Sequence, residues 1–276
     1  MDRRNAMKTA AGVIIGGGAG LFTLTHAFKP VGKSAENPQK LDYKPDESAW
    51  KYARLDPIAT AGLAYNYYSE GSCMYATVKG VVSQLAEIIG EPFTTFPLHL
   101  FKYGHGGVGG YGSVCGTLNG AAALIGLLIT DKTVQDKMIA DVFRWYEKEP
   151  LPAFSPNTPA YDHNPVKSVS NSVLCHASNT NWCKTAGFKV DSKERKERCR
   201  RMTADVTMKV TTSLNEIFEN AYITSVQTDE AMNTCLTCHG GEGKVNNTAV
   251  KMSCNPCHTE SVGHQIFADI HYKVME

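Results

Sequence analysis

Two short matched segments constrain this chain more than anything else in its 276 residues. Cys235-Leu236-Thr237-Cys238-His239 and Cys254-Asn255-Pro256-Cys257-His258 are both C-x-x-C-H units, the attachment pattern for a c-type haem. Each position has a chemical task. Two thiols add to the two vinyl groups of one macrocycle, the two-residue gap matches their separation, and the following histidine becomes the proximal iron ligand. Cys235, Cys238, Cys254 and Cys257 are therefore expected to carry two haems, with His239 and His258 on the irons. The tail from about residue 228 to 276 is polar and short of apolar residues, and two macrocycles would supply the core it lacks. Zinc is the rival, because the 15 residues between Cys238 and Cys254 also fit a zinc ribbon. A ribbon has no need of a histidine after both second cysteines. Paired disulfides are a third option, but they seldom close across two-residue gaps. The short connector holds the two attachment sites close together.

The other end of the chain reads as an address. Arg3 and Arg4 precede an apolar, glycine-rich run from Thr9 to Leu24. That run is short of the ~20 apolar residues of a membrane span, and paired arginines before it read as a twin-arginine export signal over residues 1–27. An ordinary secretory signal or an uncleaved anchor is the alternative. The implied location is the periplasm, with no permanent membrane span after signal removal. Loss of Arg3, Arg4, Lys8 and Asp2 leaves 25 of 28 basic and 26 of 27 acidic residues. A chain so close to neutral lacks the basic stripe of a nucleic-acid groove, so no nucleic-acid partner is expected. Apolar residues make up 42%, enough for a buried core.

Residues 28–56 have no lasting apolar period and read as an extended lead-in. From Ser72 the pattern turns helical, with an apolar face from Cys73 to Ile89, stopped by Gly90 and Pro92. A glycine-rich loop follows over 93–112. A helix of small residues runs from about Val114 to Ile129, and another from about Thr133 to Glu149, ended by Pro150. Residues 150–190 are rich in Pro, Asn and Ser and read as loop, of the long kind that usually serves function. Asp191 and Glu194 form a capping pair for a long helix with the stripe Cys199, Met202, Val206, Val210, Leu214, Ile217 and Phe218. No strand alternation stands out. The expected fold is mainly α: a helical cluster-binding domain over 57–227, then an irregular haem-binding segment over 228–276.

Five more cysteines lie in the helical part: Cys73, Cys115, Cys175, Cys183 and Cys199. Haem c is attached outside the cytoplasm, whereas the twin-arginine route carries folded proteins that often hold a cofactor already. Together these point to a second, thiolate-bound cofactor, an iron–sulfur centre. Disulfides and zinc are the alternatives. The run Gly104-His105-Gly106-Gly107-Val108-Gly109-Gly110-Tyr111-Gly112 contains G-x-G-x-x-G, but no apolar strand precedes it, so it is weak as a nucleotide fingerprint. It reads better as backbone brought close to a cofactor, with amides available to cluster sulfurs. Each iron also needs a sixth ligand or an open site, and His99, His105, His163, His176, His264 and His271 are available.

Gly71-Ser72-Cys73-Met74-Tyr75-Ala76, Cys115-Gly116-Thr117-Leu118-Asn119-Gly120-Ala121, Trp182-Cys183 and Arg198-Cys199-Arg200 resemble the redox-associated C_GCAxxG_C_C domain. Joined to two C-terminal C-x-x-C-H units, that domain is similar to the split-Soret cytochromes c of anaerobic, sulfate-reducing bacteria. The resemblance covers about residues 55–276. It implies a homodimer with two bis-histidine haems per subunit, each haem taking one histidine from the other subunit, and a non-haem iron–sulfur centre, here expected as [2Fe–2S]. It implies Cys73, Cys115, Cys183 and Cys199 as cluster ligands, with Cys175 the alternative. Distal haem ligands are expected at His105 and His176, with His163 and His264 as alternatives. The implied function is periplasmic electron transfer in anaerobic respiration, with redox proteins as partners. The alternative is a periplasmic reductase with an open haem or cluster site.

Overall fold

In the computed structural model the described residues are 38–225 and 230–258. The signal at 1–27, the first part of the lead-in, His264, His271 and the Cys257 side chain lie outside them. The elements are helices with one minimal strand pair, so the chain is mainly α as its periodicity indicates.

Helix α1 spans Pro57–Ile89. Asp56 starts it: its backbone is extended and its carboxylate accepts from Ile58 N at 2.8 Å and Ala59 N at 3.1 Å, while Pro57 needs no partner for a missing N–H. The helix therefore begins well before the Ser72 start that the sequence suggested. Its first half is marked by Ala59, Ala61, Ala64 and tyrosines rather than by an aliphatic stripe. Ser72 has φ 66° and ψ −161°, which breaks the helix in two. The aliphatic half starts at Cys73 and ends at Gly90, φ 84°. Two short 3-10 turns, Phe93–Thr95 and Leu98–Tyr103, lead into the glycine loop.

Helices α2 (Gly116–Leu128) and α3 (Lys132–Lys148) follow. Asp131 caps α3 by accepting from Thr133 N and Val134 N. Strands β1 (Pro150–Leu151) and β2 (Ser168–Val169) pair antiparallel, Pro150 opposite Val169 and Leu151 opposite Ser168. Helix α4 (Cys175–Ala186) lies within the stretch read as loop, ended by the left-handed Gly187. Its Asn- and Ser-rich sequence hides it, because its short buried face is only Cys175, Ser178 and Trp182. Helix α5 (Lys193–Phe218) is capped by Ser192, one residue after the expected Asp191, with Ser192 Oγ accepting from Arg195 N at 3.1 Å. Glu194 instead accepts from the Tyr161 hydroxyl.

Helix α5 packs along α1, and α2 lies against both. Met202, Val206, Val210, Leu214 and Ile217 meet Val78, Val81, Val82 and Leu85 in the core, with Leu118, Leu124 and Leu128 from α2. The approach is close because α2 offers glycines. A Cβ at Gly116 would stand 2.0 Å from Gly104 O, and one at Gly120 2.9 Å from Thr77 Cβ. The described part of the lead-in, 38–56, forms no helix and is tied down: Leu41, Tyr43 and Leu55 are buried, and the Tyr43 hydroxyl donates to Leu128 O at 3.2 Å. No helix among the described residues is long and apolar enough to cross a membrane.

Candidate iron centre and haem-attachment segment

Four of the five cysteines outside the C-x-x-C-H units are buried: Cys73, Cys115, Cys175 and Cys199. Three of them stand at helix starts. Cys73 opens the second half of α1 just after the Ser72 break. Cys115 is the N-cap of α2 and Cys175 the first residue of α4. An antiparallel bridge, Val114 opposite Leu174, aligns the last two. Cys115 N donates to Val173 O at 2.9 Å and Cys175 N to Ser113 O at 2.8 Å, so α2 and α4 begin side by side. Cys199 comes from the inward face of α5. Unpaired amides and the helix dipole at such starts favour thiolate over thiol.

The four thiols are neighbours. The Cys115 thiol is held down to about 6, chiefly by its interaction with Cys175 and against the effect of burial, with the Arg198 charge assisting. Cys175 is pushed up by the same contact and by burial. Burial pushes Cys73 up, and negative charge on Cys115 and Cys199 adds to it. Asn179 bridges two of them: its Nδ2 donates to Cys175 Sγ at 3.1 Å, and Cys199 Sγ donates to its Oδ1 at 3.4 Å. The Cys73 thiol faces the Tyr68 hydroxyl at 3.9 Å. Two guanidiniums reach the same place, Arg198 Nη1 3.9 Å and Arg195 Nη1 4.0 Å from Cys199 Sγ. Cys183 is half-buried one helical turn beyond Asn179; burial pushes its thiol up, and the charges of Arg195, Arg198 and Cys199 also act on it.

Among the described residues no three His, Cys, Asp or Glu side chains already stand around one point as metal ligands. The chemistry of the donor set nevertheless fits a soft, thiolate-bound metal. Four buried thiols repel one another's charge and cannot all ionise unaided, whereas a coordinating metal deprotonates a thiol outright. No disulfide competes for the described cysteines.

The haem-attachment segment holds α6 (Glu230–His239) and the short α7 (Asn255–His258). Helical spacing places Cys235, Cys238 and His239 on one face at i, i+3 and i+4. His239 Nδ1 pairs with Asn247 Oδ1 at 2.9 Å. The acceptor oxygen calls for hydrogen on Nδ1. The loop after α6 folds back on its end, with Val245 N donating to Cys238 O at 2.8 Å and Asn247 N to His239 O at 3.1 Å. The segment meets the helical body at α3, where Arg144 Nη2 donates to Lys251 O at 2.7 Å and lies 3.1 Å from Met232 Sδ.

Comparison with known proteins places the whole chain among its relatives. The C_GCAxxG_C_C family model, described as that of a redox-active protein, matches residues 75–213. Split-Soret cytochrome c of Desulfovibrio desulfuricans is 31% identical over 275 residues, covering 96% of this chain and 97% of its own length. This chain belongs to the split-Soret cytochrome c family. A solved structure of split-Soret cytochrome c from Desulfovibrio desulfuricans, described as having a novel iron centre, superposes with a TM-score of 0.72 at 32% identity, over 76% of this chain and 90% of that one.

In this split-Soret family member the candidate distal histidine His176 stands at the start of α4, against the glycine loop that carries His105. His105 is exposed in the glycine loop, and His176, also exposed, directly follows Cys175. His176 N donates to Gly112 O at 3.1 Å, and a Cβ on Gly112, φ 70°, would stand 2.9 Å from His176 Cβ, which explains a glycine there. His163 lies elsewhere, against Phe188 and Tyr161. Most of the loop's amides are engaged within the loop or by Ser113. Gly109 N donates to Tyr103 O, Gly110 N to His105 O, Gly112 N to Gly106 O and Val108 N to Ser113 Oγ, so these four amides are spent on the loop's own turns. Sequence reasoning missed Asn179, Arg198 and Asn247. Cys175, with Ser178 and Trp182 at i, i+3 and i+7, lies on the buried face of α4, a signal legible in the sequence.

Proposed function

We propose that this chain is a twin-arginine-exported periplasmic electron carrier with two covalent c haems and an iron–sulfur centre held by Cys73, Cys115, Cys175 and Cys199. The observation that carries the reading is the convergence of four buried thiols from four separate helices, three at helix starts, in a chain with two C-x-x-C-H units. Cys183 is the alternative fourth ligand to Cys175. Bound there, a [2Fe–2S] cluster supplies one-electron redox chemistry. The protein's part is to hold the sulfurs, exclude water and supply positive charge. Asn179 fixes Cys175 relative to Cys199, and Asn247 fixes the ring of His239, the proposed proximal ligand, through its Nδ1.

His105 and His176 are the proposed distal ligands, offered to haems of a second copy of the chain in a homodimer. Their exposure supports this, since a histidine serving its partner must point outward. The chain direction at Cys175-His176 then gives a short route: the thiol points into the cluster site and the adjacent imidazole out toward haem. Redox proteins are the proposed partners. The test is mass and metal analysis of anaerobically purified protein. Denaturing mass spectrometry should show the mature chain plus two haem masses. Iron should exceed two per chain, with acid-labile sulfide. A bare apoprotein from a host with haem-attachment machinery would reject the haem reading, and iron at two per chain without sulfide would reject the cluster. Rapid carbon monoxide binding by the reduced protein would reject bis-histidine ligation.

A further inference from the structure

We propose that Arg198, assisted by Arg195, is the fixed positive charge that sets the reduction potential of the centre at the four thiols; this rests on the reading that those cysteines hold iron. Arg198 is completely buried. A buried guanidinium is ordinarily matched by a carboxylate, because an uncompensated buried charge is strongly destabilising. Arg201, on the same helix, obeys the rule: its Nε donates to Glu197 Oε1 at 2.8 Å. Arg198 does not. Its Nη2 donates to Ser178 Oγ at 2.8 Å, its Nη1 faces Cys199 Sγ, and its Nε has no hydrogen-bond partner.

Ser178 cannot neutralise it. Its oxygen already accepts from Arg198 and from the Tyr146 hydroxyl at 2.9 Å, which leaves its single hydrogen for Ser170 Oγ at 2.8 Å. Both neighbours are neutral hydroxyls, and they lock the serine in place. The largest charge effects on Arg198 come from Cys199, Tyr146 and Cys115, and Cys183 also feels its charge. Those on Arg195 come from Cys199, Tyr68 and Cys73. Neither arginine has a carboxylate partner among the described residues. The compensating charge must therefore come from the thiol site itself.

The charges match. Four thiolates around an oxidised [2Fe–2S] core leave two net negative charges, and two guanidiniums stand against them. One-electron reduction adds a further negative charge. A guanidinium held close in a dry pocket favours that reduced state, because Coulomb attraction is weakly screened there. Arg198 thus acts through the cysteine ligands as a positioning and charge-setting residue. The arginine fork also explains how one side chain serves both Ser178 and the sulfur, which an ammonium on a flexible stem does less well.

The test is redox titration of the holoprotein, with the reduced non-haem centre followed by EPR and the haems by their visible bands in the same sample. Arg198→Gln is expected to lower the equilibrium constant for reducing the centre at least tenfold, about 59 mV for one electron. Arg198→Lys should recover most of that loss, and haem potentials should move far less. An unchanged non-haem potential in Arg198→Gln protein with full iron and sulfide overturns the proposal and leaves the ligand assignment standing. Wild-type protein without non-haem iron or sulfide overturns both. If Arg198→Gln does not fold, the partly exposed Arg195→Gln takes its place, with a threefold or larger fall expected; no shift there overturns the proposal.

Discussion

Gly116→Ala and Gly126→Ala put the same methyl group on one helix, α2, with opposite expected outcomes. At Gly126 nothing lies within 4 Å of the added Cβ, so the change simply replaces glycine by the best helix former and should stabilise by about 0.5–1 kcal/mol. At Gly116 the Cβ would stand 2.0 Å from Gly104 O and 3.0 Å from Cys73 Cβ. The nearer obstacle is backbone, so no rotamer change relieves it. The carbonyl also accepts from Met74 N at 3.3 Å, and parting α2 from it weakens that bond. Overpacking costs about 1–3 kcal/mol and the hydrogen bond about 1 kcal/mol, against a propensity gain of about 1 kcal/mol. The net expectation is a loss of about 2 kcal/mol, or roughly 4–8 °C in melting temperature for a chain of this size. Because Gly116 follows Cys115 and its added Cβ faces Cys73, Gly116→Ala should also lower the non-haem iron content, whereas Gly126→Ala should leave it intact. Thermal unfolding of both holoproteins, with iron and sulfide analysis, reads both effects. A Gly116→Ala protein as stable as Gly126→Ala, with full non-haem iron, would refute the close packing of α1, α2 and the glycine loop.

Two further outcomes follow from the same geometry. Cys175→Ser should abolish acid-labile sulfide and the non-haem EPR signal, while Cys183→Ser should retain both; the reverse pattern would return the fourth position to Cys183. Asp205 is buried beneath β1, where its two oxygens accept from Ala153 N at 2.9 Å and Phe154 N at 2.7 Å. Burial pushes its carboxyl up to about 6 from 3.8, against the effect of those amides. The folded state therefore binds the proton more tightly than the unfolded one. That contribution is complete below about pH 4 and is lost as pH rises through about 6, by about 2–3 kcal/mol. Asp205→Asn should lose this slope in urea titrations across that range, although the amide meets one backbone N–H badly and lowers stability throughout. An unaltered slope would place the titrating group elsewhere.

The sequence by itself determined the local features. C-x-x-C-H is a contiguous chemical unit, so the grouping of Cys235, Cys238 and His239 is legible without the fold, whereas the helix that carries them is not, their segment reading as irregular. Apolar periodicity likewise marked the aliphatic half of α1 and the stripe of α5 from Cys199 to Ile217, because burying such a face has few solutions. Only the tertiary structure decided the rest. The proposed preference for Cys175 over Cys183 rests on a bridge between Val114 and Leu174, sixty residues apart in the chain, which sets α2 and α4 starting side by side. The meaning of Arg198 turns on what does not surround it. A charged residue in a polar stretch reads as solvated, and its burial without a carboxylate emerges only when α4 and α5 pack together. Spacing along one helix is fixed by covalent geometry, whereas the meeting of thiols from four helices depends on long-range packing that no local pattern encodes.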